Sequence, residues 1–306
     1  YILCAYKNAG SLGLSYADIT TGLFEVEFKV EDVLAQLFAD VICRISPSEV
    51  IANDEAALLY ENLSVTKLGA FPKVERYYDW AFRYERCDGN LKRQFMDNYL
   101  KVYELEDKKA AVISSGALIE YLNETQKRQI KSIKTLKLVR SSDYMQLDAT
   151  ARRNLELVET IRERKKHGSL LWLLDKTKTS MGARKFRYMF DHPLQSSQKI
   201  NQRLDMVEQL YKNVVVRDSL TSLLPNIADI ERLAGKIAYG NILPNELLSL
   251  SRSLKVLPEF KQVLGQLAVF ENLNLAINSF ENLCQLLDSA IDPNATRLLK
   301  DGGYIK

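Results

Sequence analysis

The first 30 residues alternate between short apolar runs and turn residues. The apolar runs cover residues 1–6, 12–19 and 23–28 and are rich in Tyr, Ile, Leu, Val and Phe. Asn8-Ala9-Gly10 separates the first two runs, and Thr21-Gly22 separates the next two. β-Branched and aromatic runs divided by Gly and Asn at such short intervals are typical of hairpins. The pattern therefore predicts three strands joined by tight turns.

The segment that follows changes from strand-like to helical spacing. Residues 31–44 carry their apolar side chains on one helical face, so they predict an amphipathic helix that covers the sheet. A fourth strand is predicted over residues 49–52 and a second helix over residues 55–61. Three strands, a helix, a strand and a helix in this order indicate an α/β layer fold.

Residues 63–107 combine aromatic and basic side chains without a clear period. The aromatic ones are Tyr77, Tyr78, Trp80, Phe82, Tyr84 and Phe95. Such rings can stack on single-stranded nucleic acid, or they can pack against the free face of a sheet, which is the more common arrangement. Asp88-Gly89-Asn90 is predicted to form an exposed turn or a helix start. A buried helix over residues 110–122 is predicted to begin a second domain, which places the domain boundary between residues 107 and 108.

Residues 194–306 show helical spacing in nearly every apolar stretch and no fixed-period repeat, so they predict a helical bundle, whereas residues 133–147 predict a more extended stretch. The local signals are densest over residues 147–194. Asp148 is expected to cap a helix from residue 150 that His167-Gly168 ends, and Thr179 or Ser180 to cap a second helix. The apolar side chains of this second helix are expected to line a buried face. They are Ala183, Phe186 and Phe190.

Composition narrows the class of protein. The chain has 306 residues and 46% hydrophobic content, which suffices for one large or two ordinary cores. It lacks an uncharged apolar run of about 18 residues and a signal-peptide pattern, so we expect a cytoplasmic chain with no membrane contact. Its four cysteines lie far apart without paired spacing, which favours reduced thiols. Because it begins with Tyr1, we expect a piece of a longer protein.

Charge is distributed unevenly along the chain. The net charge is +3, but residues 126–192 hold 17 basic and 7 acidic side chains. Such an excess can attract nucleic acid or an acidic surface, or it can simply keep a helical face solvated. The candidate nucleic-acid-binding residues are Arg152, Arg153, Arg162, Arg164, Lys165 and Lys166.

Candidate catalytic chemistry is sparse. The phosphate-binding sequence G-x-x-x-x-G-K-[ST] is missing, so we expect no ATP site in this chain. Asp18 lies near the end of the second predicted strand, where Glu49 and Asp54 could join it around a metal ion in a nuclease. We interpret Asp18 instead as a turn residue before Thr20.

Several long motifs resemble the MutS family of DNA mismatch-recognition proteins. The strongest are LDATARRNLEL, GSLLWLLDKTKTSMGARKFRYMFDHPL and DIERLAGKIAYG, which start at residues 147, 168 and 229. LGLSYADITTGLFEV near the N-terminus and DGGYIK at the C-terminus extend the resemblance over nearly the whole chain. The resemblance implies a ribonuclease H-like α/β connector domain over residues 1–107 and a mainly helical core domain over residues 108–306.

The family resemblance also implies a function and partners. It implies a non-catalytic connector and core that couple the ATPase and DNA-binding parts of a full-length homodimeric protein. That protein would bind mismatched duplex DNA, ATP and Mg, and a MutL-type repair protein, whereas no cofactor or metal is expected in this chain. Two alternatives remain from the residues themselves. One is a stand-alone basic nucleic-acid-binding module, and the other is a ribonuclease H-like nuclease.

Two further groups of candidate residues accompany this interpretation. The neighbourhood of Asp88, Gly89 and Asn90 is where we expect the MutL-type partner to bind. The expected hinge lies in the motif-rich segment, because glycines and caps set how one helix turns against the next. The hinge residues are Gly168, Asp175, Thr177 and Gly182.

Overall fold

The computed structural model describes most of the chain in two compact units, Tyr1–Leu173 and Leu174–Lys306. The described residues are 1–30, 33–63, 71–126, 129–140, 144–293 and 304–306. Two sequence predictions include residues outside these ranges. Residues 31 and 32 of the first predicted helix and residues 301–303 of the C-terminal motif lie outside the described residues.

A mixed six-stranded sheet forms the centre of the first unit. The strands are β1 (Ile2–Asn8), β2 (Ser11–Asp18), β3 (Leu23–Val30), β4 (Glu49–Ala52), β5 (Val74–Arg76) and β6 (Lys137–Leu138). Their order across the sheet is β5-β4-β1-β2-β3-β6. The first three pair antiparallel through tight turns, with Asn8 opposite Ser11 and Asp18 opposite Leu23, whereas β4, β5 and β6 pair in parallel. The four predicted strands are confirmed, and β5 and β6 were not predicted.

Helices cover both faces of this sheet. They are α1 (Leu34–Ile45), α2 (Asp54–Glu61), α3 (Tyr84–Gln94), α4 (Tyr99–Val102) and α5 (Lys109–Gln126). Successive side chains of a strand point to opposite faces. Leu3 therefore packs with Phe38 of α1, and Cys4 packs with Leu91 of α3 and Leu118 of α5. Both faces are covered and most strand residues are buried, which explains why the strands are rich in apolar residues.

The aromatic segment divides between the two alternatives raised by the sequence. Tyr77 and Phe82 are buried in the core on the α3 and α5 side of the sheet. Tyr78 remains 61% exposed and stacks on Trp80 with ring centroids 5.6 Å apart. Most of these rings therefore pack against the sheet, as the more common arrangement predicts.

Helix α5 corrects the predicted domain boundary. A Cβ on Gly13 of β2 would lie 2.1 Å from the Ala110 carbonyl oxygen, so the helix packs directly on the sheet. The buried Ser15 hydroxyl also bonds the hydroxyls of Ser114 and Ser115 at 2.7 and 2.8 Å. The helix assigned to the second domain thus completes the core of the first unit. A boundary between residues 107 and 108 cuts through that core and is wrong.

The segment after α5 is less helical than its spacing predicts. Only α6 (Ala149–Asn154) and α7 (Leu170–Leu174) form between residues 144 and 174. The predicted Asp148 cap is confirmed, since its carboxylate accepts a bond from the Ala151 amide at 2.5 Å. The chain then leaves the helix, because Glu156 and Arg164 adopt left-handed φ angles of 46° and 50°. The predicted long helix from residue 150 to His167 is therefore wrong.

The regular elements of the second unit are helices over its described residues, and isolated bridges occur at Leu194 and between Ile291 and Ile305. Its helices are α8 (Ser180–Asp191), α9 (Ser197–Lys212), α10 (Val214–Leu223), α11 (Ile230–Tyr239), α12 (Pro244–Leu264), α13 (Glu271–Ala276) and α14 (Glu281–Ala290). Pro258 lies inside α12. The predicted fold class, an α/β domain followed by a mainly helical one, is confirmed.

Two small clusters form the core of the helical unit. Leu233, Leu254 and Leu287 join α11, α12 and α14, and a second cluster contains Val216 and Phe270. Helix α8 contributes no fully buried residue, although its aromatic rings contact each other across a turn. Its predicted buried face is therefore wrong, because the apolar stripe is only half-covered. Among the described helices, none combines the length and apolar character required to cross a membrane.

Candidate functional site

The six basic candidates do not share one environment. Five of them are exposed, namely Arg153, Arg162, Arg164, Lys165 and Lys166. Arg152 is only 5% exposed, because α6 packs against α1. This packing is fixed in part by the Ala149 amide, which donates to the Asp40 carboxylate at 3.1 Å. The burial of Arg152 contradicts its assignment to a nucleic-acid-binding surface.

The buried Arg152 acts on a neighbouring thiol instead. Burial raises the pKa of Cys43 on α1 to about 11, and the positive charge of Arg152 opposes this rise. The thiol therefore stays protonated and unreactive near neutral pH. Arg152 is best described as a structural residue between α1 and α6.

Three of the four predicted hinge residues lie in one short, tightly bonded segment. The Asp175 carboxylate accepts bonds from the Thr177 amide at 3.3 Å and hydroxyl at 2.7 Å. The Thr179 hydroxyl accepts from the Gly182 amide at 2.9 Å, which confirms the predicted cap of α8. A Cβ on Gly182 would lie 2.9 Å from that hydroxyl oxygen. Any side chain at position 182 would therefore disturb the cap that sets where α8 begins.

Gly168 belongs to a different local structure. Its φ angle of +92° favours glycine, and a Cβ there would lie 3.1 Å from the Thr160 methyl group. It closes the loop between α6 and α7 and does not end a helix. The structure therefore separates Gly168 from the other three hinge candidates.

A bidentate ion pair joins two of the long sequence motifs. The Arg184 guanidinium on α8 donates to both carboxylate oxygens of Asp229 at 2.6 and 2.7 Å. The same guanidinium also bonds the Glu231 carboxylate. Asp229 in turn caps α11 by accepting from the Arg232 amide at 3.3 Å. Arg184 and Asp229, which lie 45 positions apart in the chain, thus hold the starts of α8 and α11 in one orientation.

The sequence alone does not indicate this ion pair, because Arg184 and Asp229 lie in two separate motifs. The hydrogen bond from Arg184 is the main cause that lowers the pKa of Asp229, so the carboxylate is charged at neutral pH. The signal in the sequence was a pair of opposite charges, one in each motif. Because the two charges lie far apart along the chain, the sequence does not show that they are in contact.

The residues predicted to bind a repair partner are partly buried. Asn90 is 2% exposed, and its amide group donates to the Gly116 carbonyl at 3.1 Å and to Glu120 at 2.6 Å. Asp88 accepts from the Tyr99 hydroxyl at 2.9 Å. These residues lie within α3, so the predicted turn or helix start is wrong. The Asn90 side chain connects α3 to α5 and is too buried to contact a partner. Open space surrounds Gly89.

The acidic residues considered for nuclease chemistry do not form a cluster in the described residues. The Asp18 carboxylate accepts bonds from the Thr20 amide at 2.9 Å and hydroxyl at 2.6 Å, so the turn interpretation is confirmed. Glu49 starts β4 and accepts from Tyr121, whereas Asp54 follows the opposite end of β4 and pairs with Arg76. Across the described part of the chain, no group of three or more His, Cys, Asp or Glu residues is arranged to hold a metal ion.

Comparison with protein-family models places two matches along the chain. Residues 1–134 match the model of MutS domain II, and residues 150–306 match that of MutS domain III. The first match includes α5 in the N-terminal domain, in agreement with its packing on the sheet. The resemblance inferred from the motifs is confirmed.

Curated relatives match the whole chain. The DNA mismatch repair proteins MutS of Clostridioides difficile and Ruminiclostridium cellulolyticum are both 36% identical to it, over 310 and 308 residues. The MutS protein of Caldanaerobacter subterraneus is 35% identical over 309 residues. Each match includes 100% of this chain but only 32%, 35% and 35% of the respective relative. The chain therefore spans about a third of the length of these relatives.

Proposed function

Because the chain belongs to the MutS family, we propose that it forms the connector and core portion of a DNA mismatch-repair protein. In this proposal the portion transmits changes between an ATP-binding part and a DNA-binding part, and it carries no reactive centre itself. ATP, Mg, mismatched duplex DNA and a second copy of the protein are partners of the complete protein. The relatives' names support the repair process, and the two matching domain models support the division into connector and core.

The observation that carries this proposal is the ion pair between Arg184 and Asp229. It fixes the start of α8 against the start of α11, so a movement of one helix is passed to the other. Packed helices shift as rigid bodies between discrete arrangements, and charged bidentate contacts define such arrangements more sharply than apolar contacts do. The pair is therefore suited to mechanical coupling.

The capped segment before α8 supplies the second element of this mechanism. Asp175, Thr177 and the Thr179 cap fix how the chain enters α8, and Gly182 leaves room for the cap. We propose that these residues set the direction of α8 while Arg184 sets its connection to α11. Neither element requires a bound cofactor in this chain.

We further propose that the outer surface of α3, around Asp88 and Gly89, binds the MutL-type partner. Gly89 has open space around it, and the Asp88 carboxylate pairs with Lys92 at 2.8 Å on the same helix. Asn90 is excluded from this surface by its burial. A Gly89→Trp variant would obstruct the surface without entering the core.

The coupling proposal can be tested in the complete protein that carries this chain. Arg184→Met removes the charge and keeps an apolar stem of similar length. We expect this variant to bind a mismatched duplex but to release it more slowly than the wild type when ATP is added, by about tenfold. Release is measured by stopped-flow fluorescence with a labelled duplex.

Arg252→Met provides the matched control. Arg252 is exposed on α12, and within the described residues its side chain forms no ion pair with another helix. This control should release DNA at the wild-type rate. If Arg184→Met also releases DNA at that rate while its ATP hydrolysis is normal, the ion pair has no coupling role.

A further inference from the structure

The loop between α6 and α7 is a compact hairpin with a defined backbone. The Leu170 and Leu171 amides donate to the carbonyls of Glu156 and Leu157 at 3.0 and 2.8 Å. Near the tip, the Thr160 amide donates to the Lys165 carbonyl at 3.0 Å, and Leu157 and Leu171 are buried at the base. We call residues 156–171 the basic hairpin. These backbone hydrogen bonds define the conformation of the hairpin.

Cationic side chains are concentrated at the tip of the basic hairpin. They are Arg162, Arg164, Lys165 and Lys166, and all four are exposed. Three acidic side chains lie in the same hairpin. Glu156 accepts from the Ile161 amide at 2.6 Å, Glu159 is exposed, and Glu163 pairs with Lys165 at 3.1 Å with both partners more than 60% exposed. Such an exposed pair is weak and exchanges readily for another anion. The four cations outnumber the three carboxylates, so the hairpin keeps a net positive charge.

An exposed aromatic pair lies beside these cations. The His167 ring, next to Lys166 in the chain, contacts the Trp172 indole with ring centroids 4.2 Å apart. Trp172 is 43% exposed, although an indole of this size is usually mostly buried. A cationic loop next to a part-exposed indole combines the two contacts that single-stranded nucleic acids require, namely phosphate neutralisation and base stacking.

We propose that the basic hairpin is a binding site for single-stranded nucleic acid. The four cations contact successive phosphates without reading sequence, and Trp172 stacks on one unpaired base. An acidic protein surface would satisfy the charges but would leave the indole face without a comparable partner. This site is independent of the ion pair proposed for coupling, because it uses neither Arg184 nor Asp229.

Trp172 itself can report binding. The chain has two tryptophans, so Trp80→Phe leaves Trp172 as the single indole. Titrating this 306-residue variant with a 20-nucleotide oligothymidylate should quench the Trp172 emission. Single-stranded binding loses affinity with a log–log salt slope of about 0.7 per phosphate contacted, so four contacts predict a slope of about −2.8. Raising the salt from 50 to 200 mM should then weaken binding by about 50-fold.

Two variants distinguish the contributions of charge and stacking. Replacing all four cations by Gln should reduce the salt slope nearly to zero and weaken binding by at least tenfold. Trp172→Ala, followed by anisotropy of a labelled oligothymidylate, should weaken binding by about tenfold while keeping the salt slope. The matched control replaces four exposed lysines elsewhere by Gln and should retain most of the affinity. These are Lys73, Lys101, Lys131 and Lys199.

Three results would overturn the proposal. One is unchanged affinity after the four hairpin cations are replaced, with circular dichroism showing an intact fold. Another is the same affinity for polyglutamate as for oligothymidylate, without quenching of Trp172, which would indicate an acidic protein partner. The third is an absence of binding at 50 mM salt.

Discussion

The α/β unit and the helical unit bury their apolar side chains to different extents. In the first unit Leu3, Phe38 and Ile42 are 0% exposed, and similar residues line both faces of the sheet. In the second unit the best-buried leucines, Leu254 and Leu264, retain 4% and 3% exposure, and the two core clusters are small. A sheet covered by helices on both faces completes its core from its own residues. A set of helices completes its core only if the apolar stripe of every helix packs against another element of the same unit.

Helix α9 shows what this difference means. Its outward stripe consists of Leu204, Val207 and Tyr211, which are 58%, 62% and 76% exposed. Apolar residues this exposed at helical spacing are unusual on a monomer and mark surfaces that contact other protein. The comparison teaches that the sheet of the first unit is covered on both faces by its own helices, whereas the second unit has faces suited to contacts within a larger protein, as the proposed core function requires.

The comparison is tested most strongly by matched aromatic deletions. Phe38→Ala in the α/β unit should destabilise that unit by about 3–5 kcal/mol, because it leaves a cavity in a fully buried core. Phe186→Ala in α8 should cost only about 1–2 kcal/mol, because its ring is half-buried. Urea unfolding followed by circular dichroism, with amide exchange in each helix, measures both. Equal losses would show that the two units are packed alike.

A smaller effect is expected where α5 approaches α3. A Cβ on Gly116 would lie 2.4 Å from the Cys87 Cα, so Gly116→Ala should destabilise the α/β unit by about 2 kcal/mol through overpacking. Gly89→Ala in α3 is the control, because open space surrounds that position. It should stabilise the helix by about 0.5–1 kcal/mol. A neutral Gly116→Ala variant would contradict the close packing of α5.

The ion pair gives the helical unit a pH dependence. Arg184 lowers the pKa of Asp229 in the folded chain, so this stabilisation is present above the unfolded pKa of about 3.9 and is lost as the pH falls below it. Asp229→Asn should cost about 1–3 kcal/mol at pH 7 and progressively less toward pH 2. Urea titrations at both pH values check this. A loss that did not depend on pH would assign the effect to the helix cap.

The smallest effect is expected on the outward stripe of α9. Leu204→Ala and Val207→Ala should each change the stability of the isolated chain by less than about 0.5 kcal/mol, because the side chains are already exposed. Thermal unfolding of both variants provides the measurement. A loss above about 1 kcal/mol would mean that this stripe is buried in solution and would remove the contrast between the units.

The sequence predicted those elements whose signals are local. Strands β1 to β4, the Asp148 and Thr179 caps and the mainly helical second half follow from apolar spacing, turn residues and cap side chains within a few positions. The family motifs supplied the division into connector and core. The two-residue strand β6 and the three-residue strand β5 carried too little pattern to be recognised.

Tertiary packing decided the features that join distant residues. Helical spacing predicts an apolar face on α5, but only the close approach of Gly13 to Ala110 shows that the sheet covers it, and that of Gly116 to Cys87 shows its contact with α3. In the sequence, Arg152 resembles its neighbour Arg153. Only the packing of α6 against α1 shows that Arg152 is buried. The sequence determined which segments form strands and helices, because hydrogen bonding and apolar period act over a few residues. The structure alone decided which faces are buried and that Arg184 meets Asp229, because those contacts join positions far apart in the chain.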